Sequence, residues 1–357
     1  MTIAVHIIAT GARTPLGLES ASSAAAVRAQ ICAMGEHPFM IDQMGDPMPA
    51  AMDAQLDPCL MGPQRLLALA EGPLREVCAP LTGNSRLPQV ELPLLLALPE
   101  LRPGFSEQDA ETIRSGLAGL EGLPCRLSAV KVFNQGHAAG LATLATAYVK
   151  MQQGVFEACL VGGVDSYFQP DTMEWLDANR QLVGAVSRSG FVPGEGAGFC
   201  LLMSEPLRRR LELKSQARIL VATTGRETKL IKTAGNCLGE GLTATVRNVL
   251  SVLAPAGETI SDIVCDINGE RYRGEEWGFV VLRLPLSFDD PTSYRSPADL
   301  WGDMGAASGP LFAMLACQAA TRGYAKGKRT LLWGGSESGL RSAAVLGFDI
   351  SGKKQEG

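Results

Sequence analysis

Histidine is scarce in this sequence of 357 residues, which contains only His6, His37 and His137. A mechanism that needs two histidines in the second half of the chain is therefore excluded. The scarcity also argues against a metal centre with imidazole ligands, and we expect no metal and no cofactor. The nine cysteines never form a CxxC pair, which argues against a zinc site or a disulfide framework and favours a reducing cytoplasm.

Long apolar runs and extended basic clusters are also missing. The most apolar stretch, residues 92–101, is about half as long as a membrane span and is interrupted by prolines. The first residues lack the pattern of a secretory signal. With a net charge of −5 and scattered basic residues, the sequence shows no basic patch that would bind the phosphate backbone of a nucleic acid. We expect a globular, cytoplasmic protein without a nucleic-acid partner or a membrane span.

The residues that are present predict a large α/β protein. Hydrophobic residues make up 46% of the chain, and its length exceeds that of one small domain. Apolar runs alternate with helical patterns, which is typical of sheets covered on both faces. We predict strands near 3–10 and 91–98 and helices near 19–34 and 62–79. The second half repeats the pattern of the first, which predicts two halves, 1–206 and 207–357.

Residues 187–198, SRSGFVPGEGAG, resemble the RDGFVxGEGAG motif of the β-ketoacyl-acyl-carrier-protein synthases of the thiolase superfamily. Four weaker segments occur in the family order: GARTPLG at 11–17, LVGGVDS at 160–166, GAASGP at 305–310 and LLWGGSESG at 331–339. The resemblance covers nearly the whole chain. It implies a five-layered αβαβα thiolase fold of two pseudo-repeated halves, with a homodimer interface on the strand SAVKVFNQ.

The same resemblance places His137 where the family has its catalytic cysteine. The segment HAAGLATL is similar to the QAGGLDAL of chain-length factors, in which glutamine replaces that cysteine. The two catalytic histidines of the family fall on Asn268 and on Gly302, whose neighbour is Asp303. Condensation needs a thiolate and two histidines, so the resemblance implies a degenerate active site.

Two roles for His137 stay open. The ring can take part in hydrogen bonding or catalysis in place of the chain-length-factor glutamine. Alternatively, it fills the vacated pocket and is hydrogen-bonded to Asn268 or to a backbone group. Asp303 would add a negative charge where an enolate or carboxylate must bind, which opposes condensation.

Further residues are assigned to the pocket and to the fold. Phe191 and Trp333 are predicted to shape the pocket, and Trp333 aligns with the family's gating phenylalanine; ordinary core packing is its alternative role. The charged residues of 270–276 are interpreted as a solvated turn. The motif residues assigned to the fold, through close backbone approach or turns with positive φ, are Gly190, Gly194, Glu195, Gly196 and Gly198.

The predicted function is that of a non-condensing synthase homologue serving as a binding, scaffold or partner subunit. It would form a homodimer, or a heterodimer with a thiolase-fold partner, and bind an acyl carrier protein or an effector protein. Three alternatives stay open: a chain-length-factor-like partner of an active ketosynthase, an acyl-thioester decarboxylase or hydrolase using His137, and an adaptor or chaperone for a bacterial secretion-system effector. Any activity would be of the acyltransferase or decarboxylating type, without normal condensation.

Overall fold

A computed structural model describes residues 3–82, 91–184, 187–230 and 237–349. The strands in these ranges are β1 (Val5–Arg13), β2 (Gly35–Ile41), β3 (Pro47–Ala50), β4 (Glu91–Leu98), β5 (Arg126–Asn134), β6 (Ala158–Ser166), β7 (Glu195–Ser204), β8 (Ala217–Arg226), β9 (Asp262–Cys265), β10 (Arg329–Gly335) and β11 (Leu340–Gly347). The helices are α1 (Ser20–Arg28), α2 (Gly62–Cys78), α3 (Glu107–Ala118), α4 (Ala139–Gln152), α5 (Pro170–Ala178), α6 (Glu205–Arg210), α7 (Glu240–Leu250), α8 (Arg271–Arg283), α9 (Ala298–Trp301) and α10 (Ser308–Thr321).

Nine of the described strands form one sheet in the order β5-β4-β6-β7-β1-β8-β11-β10-β9. A short antiparallel pairing of Val5–Ile7 with Ala217–Ile219 joins its two halves. From this junction the order is β1, β7, β6 in the first half and β8, β11, β10 in the second. In both halves the first strand therefore lies next to the last strand, and the last lies next to the one before it. Of the nine strands in this sheet, five belong to the first half and four to the second. A single bridge between Val264 and Arg295 lies at the edge formed by β9. The boundary predicted after residue 206 falls within α6 and stays a prediction.

Helices cover both faces of each half, which produces five layers. The outer core of the first half packs α2 and α3 on the sheet around Leu96, and that of the second packs α7 and α8 around Trp333. α4 and α10 lie between the halves. Successive strand residues point to opposite faces, so Leu201 joins an outer core while Leu202 joins the central one.

The central helices cross closely because small residues line their contact. A Cβ atom on Gly140 would lie 2.5 Å from Pro310 Cδ, and one on Gly309 would lie 2.5 Å from the backbone nitrogen of Leu141. Any larger residue at either glycine would push the helices apart. This contact explains why both halves carry a helix rich in alanine and glycine.

The element boundaries follow the sequence prediction with one clear exception. β4 covers the strand predicted at 91–98, whereas the helix predicted over 19–34 ends at Arg28. The chain leaves the helix because Gln30 has a φ of 58°, a left-handed conformation that does not continue an α-helix. β5 is the outermost strand at one edge of the sheet. None of the helices in the described ranges has the length and apolarity that crossing a membrane requires.

Candidate functional site

His137 stands where β5 gives way to α4. Gly136 has a φ of 65°, which favours glycine, and allows the sharp turn between strand and helix. One 3-10 turn, Gly136–Ala138, then leads into α4. The Ser336 hydroxyl oxygen accepts a hydrogen bond from the Ala138 amide at 2.9 Å, which satisfies one free amide of the helix start. The imidazole therefore opens the central helix, with 12% of its side chain exposed.

The carboxylate of Asp303 is the centre of the site. His137 Nε2 lies 2.9 Å from its Oδ1. The Tyr167 hydroxyl and the Gly305 amide donate to the same oxygen at 2.9 and 2.7 Å. The Asn268 side-chain amide donates to Oδ2. Both oxygens of this buried carboxylate are thus hydrogen-bonded, as an ion without water requires.

The structure brings three of the predicted positions together, and it changes two details. His137, Asn268 and Asp303 converge from separate segments. Gly302, the predicted equivalent of a catalytic histidine, contributes no side chain, and the group that reaches the site belongs to its neighbour Asp303. His137 and Asn268 each bind Asp303 rather than one another, because a buried carboxylate binds an imidazole and an amide more strongly than these bind each other.

Charge pairing controls the ionisation of both partners. Burial alone would lower the pKa of His137, but the Asp303 carboxylate outweighs burial and the pKa lies above its usual 6.5. Burial alone would raise the pKa of Asp303, but the charge and hydrogen bond of His137 hold it well below its usual range. Both directions favour an imidazolium–carboxylate pair at neutral pH.

Arg102, which is largely buried, and Arg273, which is fully buried, extend the network on either side. Arg102 donates to Asp165 Oδ1 at 2.8 Å, while Arg273 donates to Asp266 at 2.7 Å and to Glu270 at 2.9 Å. Burial raises the pKa of Asp266, although Arg273 opposes that shift. The imidazolium of the site is thus one of several buried charges, each held by an opposite neighbour.

Only some of the charged residues in segment 270–276, which was predicted to be a solvated turn, are exposed to solvent. Arg271 and Glu275 form an exposed pair, whereas Glu270, Arg273 and Glu276 are buried. The three buried residues are spaced by three positions, which places them on one face of the α8 turn. That face packs inward beside the site, so the prediction was wrong for these residues.

A small recess of about 60 Å³ lies beside His137. Ligand pockets usually measure roughly 300–1,000 Å³, so this one admits only a few atoms. The Phe191 ring lies in its wall, 5.3 Å from the Tyr167 ring, and a role for it in shaping a functional pocket stays a prediction. Glu100 and Glu337 also line the recess, and no described cysteine does.

Trp333 lies on the other side of its strand from the recess. Its ring stacks on that of Trp277, with centroids 5.4 Å apart and an angle of 15°. The next residue, Gly334, is the one that approaches the His137 backbone. Because side chains alternate along a strand, Trp333 points into the outer core. This position contradicts the predicted gating role and agrees with the alternative, core packing.

Comparisons with known proteins agree with this architecture. Residues 129–207 match the family model described as the N-terminal domain of β-ketoacyl synthase. A type II polyketide ketosynthase, solved in complex with its acyl-carrier protein, aligns with a TM-score of 0.79 and 13% identity, covering 98% of this chain and 100% of its own. The chain has the ketosynthase-like fold of these structures. The predicted thiolase fold class is confirmed.

Two further solved structures have a similar fold. The ishigamide ketosynthase/chain length factor aligns with a TM-score of 0.78 and 16% identity, covering 98% of this chain and 100% of that one. The ketosynthase from module 6 of the bacillaene synthase of Bacillus subtilis 168 aligns with a TM-score of 0.76 and 14% identity, covering 96% and 72%. None of the curated proteins matches the sequence. Identities this low establish the fold alone.

The glycines of the motif at residues 187–198 serve close packing. A Cβ atom on any of its glycines would come within 3.0 Å of a neighbouring atom, and none of them has a positive φ. The predicted close approach is present, whereas positive φ is not. These glycines are Gly190, Gly194, Gly196 and Gly198. Glu195 forms a two-pronged ion pair with Arg65, in which both side chains are at most 1% exposed.

One group of side chains has a composition suited to a metal. Glu227, Cys237 and Glu276 place their ligand atoms within 4.8 Å of one another. Glu276, however, already accepts two hydrogen bonds from Arg341, at 2.7 and 2.6 Å. Burial raises the pKa of the Cys237 thiol to about 11, so it is protonated at neutral pH. The group is therefore best explained as structural, and the absence of a metal stays a prediction.

Sequence reasoning missed Tyr167 and Arg102. β5, β4 and β6 are parallel neighbours, and His137, Arg102 and Tyr167 each follow the carboxyl end of one of them. Because carboxyl ends of parallel strands meet at one edge, side chains just beyond them converge. The sequence signal was present for Tyr167, which directly follows the LVGGVDS segment.

Proposed function

We propose that this protein is a non-condensing ketosynthase homologue that acts as a binding or partner subunit beside a carrier-protein-dependent enzyme. The observation that carries the proposal is the helix-opening position, which presents an imidazole paired with Asp303 instead of a thiol. Condensation needs a nucleophile to accept the acyl group and donors to stabilise an enolate. An imidazole held by Asp303 does not replace the thiolate that accepts the acyl group, and the carboxylate of Asp303 repels an enolate.

The recess supports the same conclusion. Its volume of about 60 Å³ leaves no room for an acyl chain beside His137. The carboxylates of Glu100 and Glu337 in its wall would also repel the carboxylate of a malonyl group.

The free edge of the sheet supports a partner role. β5 pairs with β4 on one side, and most of its side chains are exposed or half-buried. An open edge strand readily pairs with another chain. We propose that β5 joins this protein to a second copy or to another thiolase-fold subunit. We place this assembly in the cytoplasm, where its nine free thiols would stay reduced.

A second function, thioester hydrolysis or decarboxylation at His137, is favoured by one feature. No hydrogen bond from the described part of the chain engages its Nδ1, so this nitrogen is free to bind a substrate carbonyl. No contact in the described ranges favours the third alternative, an adaptor or chaperone for a secreted effector.

We expect the purified protein to form no β-ketoacyl product from acyl- and malonyl-loaded acyl carrier protein. An intact ketosynthase serves as the positive control, and mass spectrometry of the carrier detects condensation, decarboxylation and hydrolysis separately. Formation of a carbon–carbon bond by the pure protein would overturn the proposal. Decarboxylation or hydrolysis that His137→Ala abolishes would establish the second function instead.

The partner role is tested separately. Purification from the native host is expected to recover a ketosynthase that retains its active-site cysteine, or an acyl carrier protein. Recovery of an effector with neither of them would contradict a role in acyl chemistry.

A further inference from the structure

A second cluster of reactive side chains lies where β1 meets β8. A cleft of about 580 Å³ opens there, and its walls include His6, Glu205, Ser215 and Arg218. None of these residues lines the recess at His137. The cleft exists because the two half-sheets pair over only three residues of each strand before they diverge.

The His6 ring lies between the side chains of Ser215 and Glu205 and contacts both. Ser215 Oγ lies 2.9 Å from His6 Nδ1, and Glu205 Oε2 lies 3.0 Å from His6 Nε2. The Glu205 contact is short but out of line for a hydrogen bond, as catalytic contacts often are before substrate binds. The Ser215 hydroxyl is also 3.1 Å from the carbonyl oxygen of Ala217, which is its alternative acceptor.

The local structure explains why these groups meet. His6 lies on β1, and the segment just before β8 is tied to that strand by a hydrogen bond from the Gln216 amide to the Ile7 carbonyl at 2.9 Å. Ser215 is thereby held next to the imidazole. Glu205 begins α6, and its amide donates to the Ala4 carbonyl at 2.9 Å.

We propose that Ser215, His6 and Glu205 form a nucleophile–base–carboxylate triad that hydrolyses small acyl esters in this cleft. The contacts follow the logic of the serine-hydrolase triad, with the two ring nitrogens exchanged. Arg218 supplies the positive charge that the developing oxyanion needs. It is the cross-strand partner of His6, so both side chains lie on the same face, and it has no ion pair within the described residues.

The reaction balances without any other group. Ser215 Oγ attacks the ester carbonyl carbon while its proton moves to His6 Nδ1. The C–O bond to the alcohol then breaks, and the same proton passes from His6 to the leaving alcohol. Water next attacks the acyl-Ser215 ester, with His6 again taking and returning a proton, which releases the carboxylic acid and the free hydroxyl.

The charges around His6 suit a general base. Burial lowers its pKa below 6.5, so the ring is neutral and able to accept a proton at pH 7. The charged groups that face it are Glu205 and Asp349, which oppose the shift, and Arg208 and Arg218, which add to it. Hydrogen bonds from Arg208 hold the pKa of Glu205 at about 2, so the carboxylate stays charged. We therefore expect hydrolysis to rise with pH through a value below 6.5 and then to level off.

The test uses p-nitrophenyl acetate and p-nitrophenyl butyrate with the full chain. Ser215→Ala and His6→Gln are each expected to lower turnover by roughly 100-fold or more. Ser215 is exposed, so its replacement should leave the thermal unfolding temperature unchanged. In a quenched reaction, the acetyl group is expected on the peptide that contains Ser215.

Matched controls separate the triad from background chemistry. His37→Gln removes another histidine whose pKa burial lowers, and Ser251→Ala removes another exposed serine; neither lies in the cleft. Both variants should keep wild-type turnover. Full activity in Ser215→Ala, or an acetyl group on any other residue, would overturn the proposal. Neither result would affect the proposed non-condensing function, because the condensation assay tests the site at His137.

Discussion

Replacement of Arg65 by methionine is expected to lower the free energy of unfolding by about 3–5 kcal/mol. Arg65 donates to Glu195 through Nε and Nη2, at 2.5 and 2.6 Å. Glu195 also accepts from the Asp53 amide at 2.8 Å and from the Ser166 hydroxyl at 2.9 Å. Without Arg65 the carboxylate stays buried with hydrogen bonds but without its counter-charge. Urea denaturation followed by circular dichroism measures the loss.

An exposed pair gives the matched control. Arg114 and Glu111 form a comparable two-pronged contact on the surface of α3. Arg114→Met should change stability little, because water screens the charges in either state. The double variant Arg65→Met with Glu195→Gln should recover part of the loss, since no buried charge is then left unpaired. If Arg65→Met is no more harmful than Arg114→Met, the ion pair does not stabilise the fold.

The Arg65–Glu195 pair shows what the sequence could and could not predict. Glu195 was identified because it stands in a recognisable motif, and the motif indicated a structural role. Its partner was not identified, because Arg65 lies 130 positions away and belongs to a helix with no distinctive pattern. Local periodicity predicts which elements form, but pairing between distant buried charges depends on how the elements pack.

Two of the predicted positions, Gly302 and Trp333, each lie next to the residue that faces the site. Register with the family placed a catalytic equivalent on Gly302, whereas the side chain that reaches the site is that of Asp303. On β10 the same alignment assigned the pocket role to Trp333. Side chains alternate between the two faces of a strand, so Trp333 points away from the site and Gly334 faces it. Short motifs in a single sequence do not fix the alignment to within one residue. In a strand or a tight turn, a shift of one residue reverses the direction of the side chain.

His137 was identified correctly as the residue that opens the central helix, but its partner was not. The predicted hydrogen bond went to Asn268 or to the backbone, since no sequence pattern showed that Asp303 would be buried. Once the carboxylate is inside, electrostatics determines the arrangement: His137, Tyr167 and Asn268 all turn their polar atoms toward it.

Replacement of Asp303 by asparagine is expected to destabilise the protein by about 1–3 kcal/mol at neutral pH. It removes the counter-ion of His137, so the buried ring must lose its proton, and the hydrogen bonds from Tyr167 and Gly305 then reach a neutral amide instead of a carboxylate. Asp299→Asn, four residues earlier in the chain, is the matched control, because Asp299 is exposed and forms no ion pair with any described residue. Equal stability of the two variants would show that the His137–Asp303 pair contributes nothing.

The pH dependence of the pair has a definite sign. The pKa of His137 is raised in the folded protein, so its stabilising contribution is complete below its unfolded value of about 6.5 and is lost as the pH rises through the folded value. The pKa of Asp303 is lowered, so its contribution is present above its ordinary value and is lost only in strong acid. His6 and His37 shift the opposite way, because burial lowers both values.

A titration of the histidine ring signals by nuclear magnetic resonance separates these effects, because the chain has only three histidines. His6→Gln and His37→Gln assign two signals and leave His137 as the third. In the wild type we expect His137 to titrate above 6.5 and the other two below it. In Asp303→Asn the His137 value should fall below 6.5, because burial and the charge of Arg273 are then no longer offset by the carboxylate.

That titration also bears on function. An imidazolium has no lone pair, so it cannot accept a proton or attack a thioester while Asp303 holds it charged. Any hydrolysis or decarboxylation in which His137 acts as a base must therefore increase as the pH rises through the raised pKa, and Asp303→Asn should shift this dependence to lower pH. If the wild-type ring titrates below 6.5, the ion pair does not form and the argument from charge against a catalytic His137 fails. A raised value leaves His137 as a cation at the start of α4, which accords with the proposed non-condensing role.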